Sequence, residues 1–191
     1  MKTRHMYFAS KLQTRDLSDN QEPTIEGYFA VFEQETELYP GCFESIAQGA
    51  FDNSLKNNDI RCLFNHRTDL VLGREKAGTL KLTTDEHGLY GVVNINQNDD
   101  EAMNVYQRVK RGDITGCSFG FNPIQEEIIE QEDGTVRFNV KEADTVEVSI
   151  VTFPAYPQTE IEARQASITN EVKRKLDLKK RSLKERMKKW R

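Results

Sequence analysis

The sequence has few of the residues on which several classes of functional site depend. Its three cysteines, Cys42, Cys62 and Cys117, match no zinc-binding or redox spacing and favour a reduced intracellular protein. There are only three histidines, no apolar run of membrane-spanning length and no hydrophobic signal segment near Met1. These absences indicate no metal site, no cofactor and no membrane partner, and they predict a cytoplasmic location.

The charge of the chain is divided unevenly. The 191 residues carry a net charge of −4. Residues 164–191 contain twelve Lys or Arg and three acidic residues, a net charge of +9, whereas residues 1–163 contain 15 basic and 28 acidic residues, a net charge of −13. The sequence therefore predicts a folded body at residues 1–163 and a basic tail at residues 164–191.

The tail has the pattern of a helix. Residues 168–191 place apolar side chains near helical spacing among lysines and arginines, without proline or glycine. This pattern predicts a basic amphipathic helix, or a tail that becomes helical on a partner. Such a segment could bind nucleic acid through counterion release. Because it contains one aromatic residue, Trp190, and no nucleic-acid motif, a protein partner is at least as well supported.

The body has the pattern of a mostly β protein. Strands are predicted at residues 5–14, 24–33, 60–66 and 145–153, and hairpins at residues 79–95 and 125–141. One or two short helices are predicted at residues 43–56, and a further helix at residues 99–111, ending before Gly112. Because the strands follow one another as hairpins with a few helices between them, the expected fold is α+β, a mainly antiparallel sheet closed into a β-barrel.

The stretch around Ser118 is the first candidate for chemistry. Its hydroxyl is flanked by Gly116 and Gly120, which leave space for a substrate beside a strand. The same Gly-x-Ser-x-Gly pattern occurs in the nucleophile elbow of α/β-hydrolases, which needs a strand before the serine, a helix after it and a later histidine. Here the predicted helix comes first and all three histidines precede Ser118. The pattern therefore argues against an α/β-hydrolase.

Two further residues complete a candidate catalytic triad with Ser118. A serine hydroxyl becomes nucleophilic when a base takes its proton and a third group orients that base. His66 ends an apolar strand before a polar segment, which makes it the best-placed base. Glu147 interrupts the most apolar strand of the chain, where a carboxylate needs a partner.

Each of these residues also has a purely structural interpretation. Ser118 can be a small residue at a tight strand crossing, and His66 can be an exposed strand end. Glu147 can lie on the solvent face of its strand, opposite an apolar face. Cys117 points away from Ser118 across the strand, where cysteine is usually a small core residue.

Three ordered motifs carry a resemblance to a known family. They are FNH at residues 64–66, DITGCSFGF at residues 113–121 and EVSIVTFPAYP at residues 147–157. Together they resemble the prohead maturation proteases of HK97-type tailed bacteriophages, over residues 26–158. That family is similar in fold to the herpesvirus assemblins, which are serine proteases built on a β-barrel ringed by helices.

The resemblance implies a role for each residue of the site. Ser118 would be the nucleophile and His66 the general base. Glu147 falls where assemblins have a second histidine, so a carboxylate would orient the base here. The segment at residues 154–156 resembles the position from which assemblins donate a backbone N–H to the oxyanion. The resemblance therefore implies Ala155 or Tyr156 as the donor, since Pro154 has no N–H.

The role of the family implies where and on what such a protease acts. It works inside the immature procapsid in the host cytoplasm, cleaves the scaffolding region of the major capsid protein or a separate scaffold, and often cleaves itself. Assemblins are activated by dimerisation, so a homodimer formed at high concentration inside the shell is an expectation. The basic tail is expected to dock on an acidic scaffold region or on the inner shell.

Two other functions fit the same residues. A non-catalytic capsid scaffold or assembly component on the same fold would keep the serine strand for packing, and Ser118→Ala would not change the length of its precursors. A cytoplasmic esterase would turn over activated esters as a monomer, without a capsid partner. Serine-dependent cleavage of a capsid precursor would therefore distinguish the protease from both.

Overall fold

The computed structural model describes residues 3–15 and 22–153. This part of the chain forms strands and two helices. In chain order they are β1 (Arg4–Ala9), β2 (Gln13–Arg15), β3 (Thr24–Val31), β4 (Thr36–Tyr39), β5 (Cys42–Ile46), α1 (Asp52–Asn57), β6 (Arg61–Phe64), β7 (Arg67–Arg74), β8 (Leu80–Thr84), β9 (Gly88–Asn94), α2 (Asp100–Arg111), β10 (Gly116–Glu130) and β11 (Val136–Val151). The predicted tail and the predicted boundary at residues 163 and 164 lie outside the described residues.

The strands form one sheet of seven and one of four. In the larger sheet, β10 lies between β1 and β11, and β11 pairs in parallel with β5 and with β6. β4 and β7 continue these two branches by pairing with β5 and β6. The smaller sheet has the order β2-β3-β9-β8 and is antiparallel throughout.

The prediction of a mostly antiparallel β fold with a few helices is confirmed, but within residues 3–15 and 22–153 the sheets do not close into a barrel. The reason lies in β11, which is 16 residues long. Its residues 136–140 pair with β5 and its residues 147–150 pair with β6. The larger sheet therefore branches, and each branch ends in an outer strand, β4 or β7, with one paired neighbour.

Helix α2 forms where the sequence predicts it. The side chain of Asp99 accepts hydrogen bonds from the backbone N–H groups of Glu101 and Ala102, at 3.0 and 3.2 Å. Gly112 ends the helix in the left-handed conformation, with φ at 86°. The buried face consists of Ala102, Val105, Tyr106 and Val109. Neither of the two described helices has the length and apolar content needed to cross a bilayer.

The helix predicted at residues 43–56 is only partly present. Its first part is strand β5, in which Cys42, Glu44 and Ile46 are buried and alternate with half-buried residues. The sequence hides this alternation because one of the buried residues is charged. Glu44 is fully buried, with Nη1 of Arg4 3.9 Å from its carboxylate. Only α1, which follows, is helical.

The core is rich in aromatic residues and orients β10. Phe119 and Phe121 are fully buried, with ring centroids 5.0 Å apart, and Phe119 also meets Phe51 edge-on at 5.2 Å. Successive residues of a strand point to opposite faces. Because Phe119 packs into this core, its neighbours Ser118 and Gly120 are directed to the other face of the sheet.

Candidate active site

Six residues from three adjacent strands lie on one face of the larger sheet, in two rows of three. The rows, taken from β1 through β10 to β11, are Tyr7, Ser118 and Ser149, and then His5, Gly120 and Glu147. Residues directly opposite each other on paired antiparallel strands share a face, and so do residues two apart on one strand. The register therefore brings Ser118 and Glu147 to neighbouring positions on this face.

His66 reaches the site from the turn between β6 and β7. Phe64 pairs with Arg67, so Asn65 and His66 are the two central residues of a tight hairpin. Both have positive φ, 51° and 59°. Type I′ turns require this backbone and favour glycine, because a side chain in the left-handed region is strained. A histidine kept at such a position is typical of a functional residue.

Asn65 fastens this turn to the end of β11. Its backbone N–H donates to the carbonyl oxygen of Ile150 at 2.9 Å. Its side-chain Oδ1 accepts from the backbone N–H of Thr152 at 2.9 Å, and its Nδ2 donates to Oγ1 of Thr152 at 3.1 Å. The turn that carries His66 is therefore held against the strand that carries Glu147.

The carboxylate of Glu147 joins the turn to the sheet. Its Oε1 lies 2.7 Å from Nδ1 of His66, and its Oε2 accepts a hydrogen bond from the hydroxyl of Ser149 at 2.6 Å. Because a carboxylate only accepts hydrogen bonds, Nδ1 of His66 carries the hydrogen and Nε2 of the neutral ring keeps its lone pair. Glu147 is 7% exposed, so the interpretation that it lies on a solvent face is wrong.

Two buried polar atoms of this site have no hydrogen-bond partner among the described residues: Nε2 of His66 and Oγ of Ser118. Nearly all buried polar atoms in proteins are paired, so an unpartnered one needs a functional or structural explanation. Tyr7 links the two residues, because it is paired with Ser118 across the sheet and its ring centroid is 5.5 Å from that of His66. Nε2 of His66 can accept a proton, and the hydroxyl of Ser118 can supply one.

His5 is a site residue that the sequence analysis missed. Its ring centroid is 4.2 Å from that of His66, and its Nε2 is 3.6 Å from Oε1 of Glu147. Gly120 makes room for this contact, since a Cβ there would lie 2.6 Å from Oε1 of Glu147 and 3.1 Å from Nε2 of His5. The alternation of β1 puts His5 and Tyr7 on one face, but the sequence does not indicate that β1 pairs with β10.

The cysteine next to Ser118 does not compete with it for the role of nucleophile. Cys117 is fully buried, and burial raises the pKa of its thiol to about 12. Burial, followed by the proximity of Cys117 and Glu147, also raises the pKa of the Cys62 thiol. Thiols react as thiolates, so both groups are unreactive near neutral pH.

The predicted site residues are thus brought together to different degrees. His66 and Glu147 are joined by a direct hydrogen bond. Ser118 shares their side of the sheet and is fully buried. Ala155 and Tyr156, the predicted oxyanion donors, lie outside the described residues. Ser149, which holds the carboxylate of Glu147, had no sequence signal beyond its position two residues further along the strand.

Comparisons with known proteins concern both the sequence and the fold. A family model described as caudovirus prohead serine protease matches residues 9–174, which leaves His5 and Tyr7 before the matched range. The solved structure of the capsid assembly protease of bacteriophage T4 is similar, with a TM-score of 0.54 and 11% sequence identity over 78% of this chain and 97% of that chain. At this identity the likeness concerns the fold alone. No curated protein sequence matches the chain.

Proposed function

The chain belongs to the caudovirus prohead serine protease family, and from this premise we propose that it is a serine endopeptidase with Ser118 as its nucleophile. The observation that carries the proposal is the hydrogen bond of 2.7 Å between Nδ1 of His66 and Oε1 of Glu147. It leaves Nε2 of His66 as the proton acceptor, beside the face that carries Ser118. Acyl transfer to a serine requires such an oriented imidazole base.

The reaction proceeds in two halves. Oγ of Ser118 attacks the carbonyl carbon of the scissile peptide bond while its proton passes to Nε2 of His66. The tetrahedral intermediate then collapses, the C–N bond breaks, and the proton moves from Nε2 to the leaving amine. In the second half, water attacks the acyl ester, its proton passes through His66, and the carboxylic acid leaves as the hydroxyl of Ser118 re-forms.

Glu147 stabilises the imidazolium that forms in both halves. Its negative charge lies 2.7 Å from the ring, in a buried setting where electrostatic interactions are strong. Ser149 holds the other carboxylate oxygen, which fixes the direction of the interaction. The backbone N–H of Ala155 or Tyr156 is the proposed donor to the oxyanion. Because Ser118 is fully buried, a substrate reaches it when neighbouring side chains move.

We infer that the substrate is the scaffolding region of the major capsid protein, or a separate scaffold, together with the protease itself. Membership of the prohead serine protease family supports a role in capsid maturation inside the procapsid of the host cell. Confinement there would raise the protein concentration and favour the predicted homodimer. The basic tail would deliver the protease by docking on an acidic scaffold region or on the inner shell.

The delivery role of the tail has its own test. Deleting residues 168–191 removes most of the basic segment and leaves every described residue in place. We expect the truncated protease to hydrolyse peptides at the native rate and to be absent from purified procapsids. Unchanged packaging of the truncated chain would contradict the role of the tail.

The proposed function is tested by co-expression with the major capsid protein of the same phage. We expect intact masses to show shortened capsid or protease chains with the native sequence and full-length chains with Ser118→Ala. Ser45→Ala, a half-buried serine on β5, is the matched control and should give the native products. Full-length products from the native chain in assembled shells would contradict the proposal and favour a non-catalytic scaffold.

A further inference from the structure

We propose that His5, His66 and Glu147 bind a divalent transition-metal ion, for which Zn²⁺ is the best match, and that this ion switches the protease off. Each of the three residues places one ligand atom within 4.8 Å of the ligand atoms of the other two. The nitrogens that lie near Oε1 of Glu147 are Nδ1 of His66 and Nε2 of His5. Two imidazoles and one carboxylate are a ligand set that Zn²⁺ accepts, with a fourth tetrahedral position left for water.

The separations of the ligand atoms are close to those that a tetrahedral ion needs. Zn²⁺ bonds of about 2.0–2.2 Å hold neighbouring ligand atoms roughly 3.3 Å apart. Oε1 of Glu147 lies 2.7 Å from Nδ1 of His66 and 3.6 Å from Nε2 of His5. Side-chain adjustments of well under about 1 Å bring both distances to the required value.

Gly120 provides an independent indication that space is kept for these ligand atoms. A Cβ at this position would lie 2.6 Å from Oε1 of Glu147 and 3.1 Å from Nε2 of His5. Gly120 is not among the glycines with positive φ, so its backbone conformation does not require glycine. The residue is instead required by the close approach of two of the three ligand atoms.

The charge around the cluster suits a cation. The side chain of Glu147 is 9% exposed, whereas those of His5 and His66 are 21% and 20% exposed, so an ion can enter beside the imidazoles and reach a buried carboxylate. Arg61 is paired with Glu147 across β6 and β11, but its guanidinium donates to the carbonyl oxygen of Asp59 at 2.9 Å. The negative charge of Glu147 is therefore directed to the two imidazoles.

The inhibitory effect rests on the proposed function and follows from the chemistry of His66. An ion at Nδ1 replaces the hydrogen that Glu147 accepts, and the ring hydrogen then resides on Nε2. An N–H group at this position cannot accept the proton of Ser118. Zn²⁺ therefore holds the base in the inactive tautomer, and removal of the ion restores it without any change in the fold.

Calorimetric titration of the untagged full chain with Zn²⁺ alone tests the site. The background is low, because the three cysteines are buried and the residues outside the described part contain neither histidine nor cysteine. We expect a single ion per native chain and at least about tenfold weaker binding in His5→Phe, which keeps a ring but removes the ligand. His87→Asn alters the third histidine, on an exposed turn, and should bind as the native chain does.

If circular dichroism shows that His5→Phe is unfolded, His5→Gln replaces it in the titration. Absorption spectroscopy with Co²⁺ provides a second measurement of the site. Co²⁺ bound to the native chain and to His87→Asn should give the strong visible absorption of a four-coordinate site, and this absorption should be lost in the His5 variant. Equal binding by the native chain and the His5 variant, or no binding of Zn²⁺ by the native chain, would overturn the site.

A proteolysis assay distinguishes a failure of the metal site from a failure of the proposed function. Zn²⁺ should inhibit the native chain in proportion to occupancy, and a chelator should restore activity. The activity of the His5 variant, measured against its own metal-free rate, should be insensitive to the same Zn²⁺ concentration. Full proteolysis by the Zn²⁺-loaded chain would overturn the switch. Zn²⁺ binding by a chain that never cleaves would instead contradict the proposed function and leave the metal site standing.

Discussion

His66 and Glu147 lie 81 residues apart in the sequence and are joined by a hydrogen bond of 2.7 Å. His66 comes from a hairpin turn and Glu147 from a buried strand, and the parallel pairing of β6 with β11 brings them together. The chemistry proposed for Ser118 depends on this contact. It decides which nitrogen is the base, and it supplies the negative charge that the imidazolium needs.

Replacing the carboxylate tests that contact. Glu147→Gln keeps the shape of the side chain but removes its charge, so we expect kcat for peptide hydrolysis to fall roughly 10²–10⁴-fold with little change in KM. Steady-state kinetics on a peptide that spans a mapped cleavage site would measure the effect. Glu142→Gln, which alters a half-buried carboxylate on the same strand, is the matched control. Native kcat in Glu147→Gln would contradict the assigned role.

Alanine substitution should affect the free energy of unfolding differently at two buried serines, Ser118 and Ser54. Oγ of Ser118 has no partner among the described residues, so Ser118→Ala removes an unpaired polar atom and should leave the free energy of unfolding unchanged or raise it by about 1 kcal/mol. Oγ of Ser54 donates to the carbonyl oxygen of Ala143 and accepts from the backbone N–H of Thr145.

Ser54→Ala should therefore lower the free energy of unfolding by about 1–3 kcal/mol. Urea denaturation of both variants would measure the two effects. A loss of stability in Ser118→Ala equal to that in Ser54→Ala would show that the hydroxyl of Ser118 has a structural role.

The turn geometry at His66 predicts a difference in stability between the glycine and alanine variants at this position. Both His66→Gly and His66→Ala remove the base and the hydrogen bond to Glu147, so both should abolish cleavage. Position 66 has φ of 59°, which glycine adopts without strain and alanine does not. We expect His66→Gly to be more stable than His66→Ala by about 1 kcal/mol, by thermal or urea denaturation. The opposite order would contradict the turn geometry.

A side chain introduced at Gly120 tests whether the contact between Glu147 and His66 needs the space that this glycine leaves. Gly120→Ala puts a Cβ 2.6 Å from Oε1 of Glu147, so the carboxylate must move away from His66. We expect at least about tenfold lower kcat and a loss of about 1–3 kcal/mol in stability. In Gly27→Ala, the matched control in β3, the new Cβ meets side-chain atoms of Leu12 and Ser10 at 3.1 and 3.2 Å, and these can shift. Similar activity losses in both variants would contradict the role of Gly120.

The buried thiols predict resistance to alkylation. Burial raises the pKa of Cys117 to about 12, so at pH 8 its thiol stays protonated, and iodoacetamide reacts with thiolates. We expect no adduct on the folded chain, full proteolytic activity after treatment, and labelling of all three cysteines after unfolding. Intact mass would measure the adducts. Rapid labelling of Cys117 with loss of activity would make the thiol a candidate nucleophile.

The sequence predicts those features whose determinants are local. Asp99 and Gly112 mark both ends of α2, and turn residues mark the hairpin of β8 and β9. His66 was a candidate because it ends an apolar strand before a polar segment, and Glu147 because a carboxylate in an apolar strand needs a partner. That partner proved to be His66, together with the hydroxyl of Ser149.

The features that the sequence did not predict depend on pairing between distant segments. His5 joins the site because β1 pairs with β10, more than 100 residues later in the chain. The sheet branches because β11 changes its parallel neighbour halfway along its length. Neither pairing leaves a pattern in the sequence of one strand. Alternation shows which residues share a face, but it does not show which strand lies beside them.

The most direct measurement of the central claim is covalent labelling of the full chain with a fluorophosphonate, followed by intact mass and peptide mapping. We predict a single adduct on Ser118 in the native chain, no adduct in Ser118→Ala, and little or none in His66→Gly, where the base is missing. An adduct on Ser149, or equal labelling of the native chain and Ser118→Ala, would contradict Ser118 as the nucleophile.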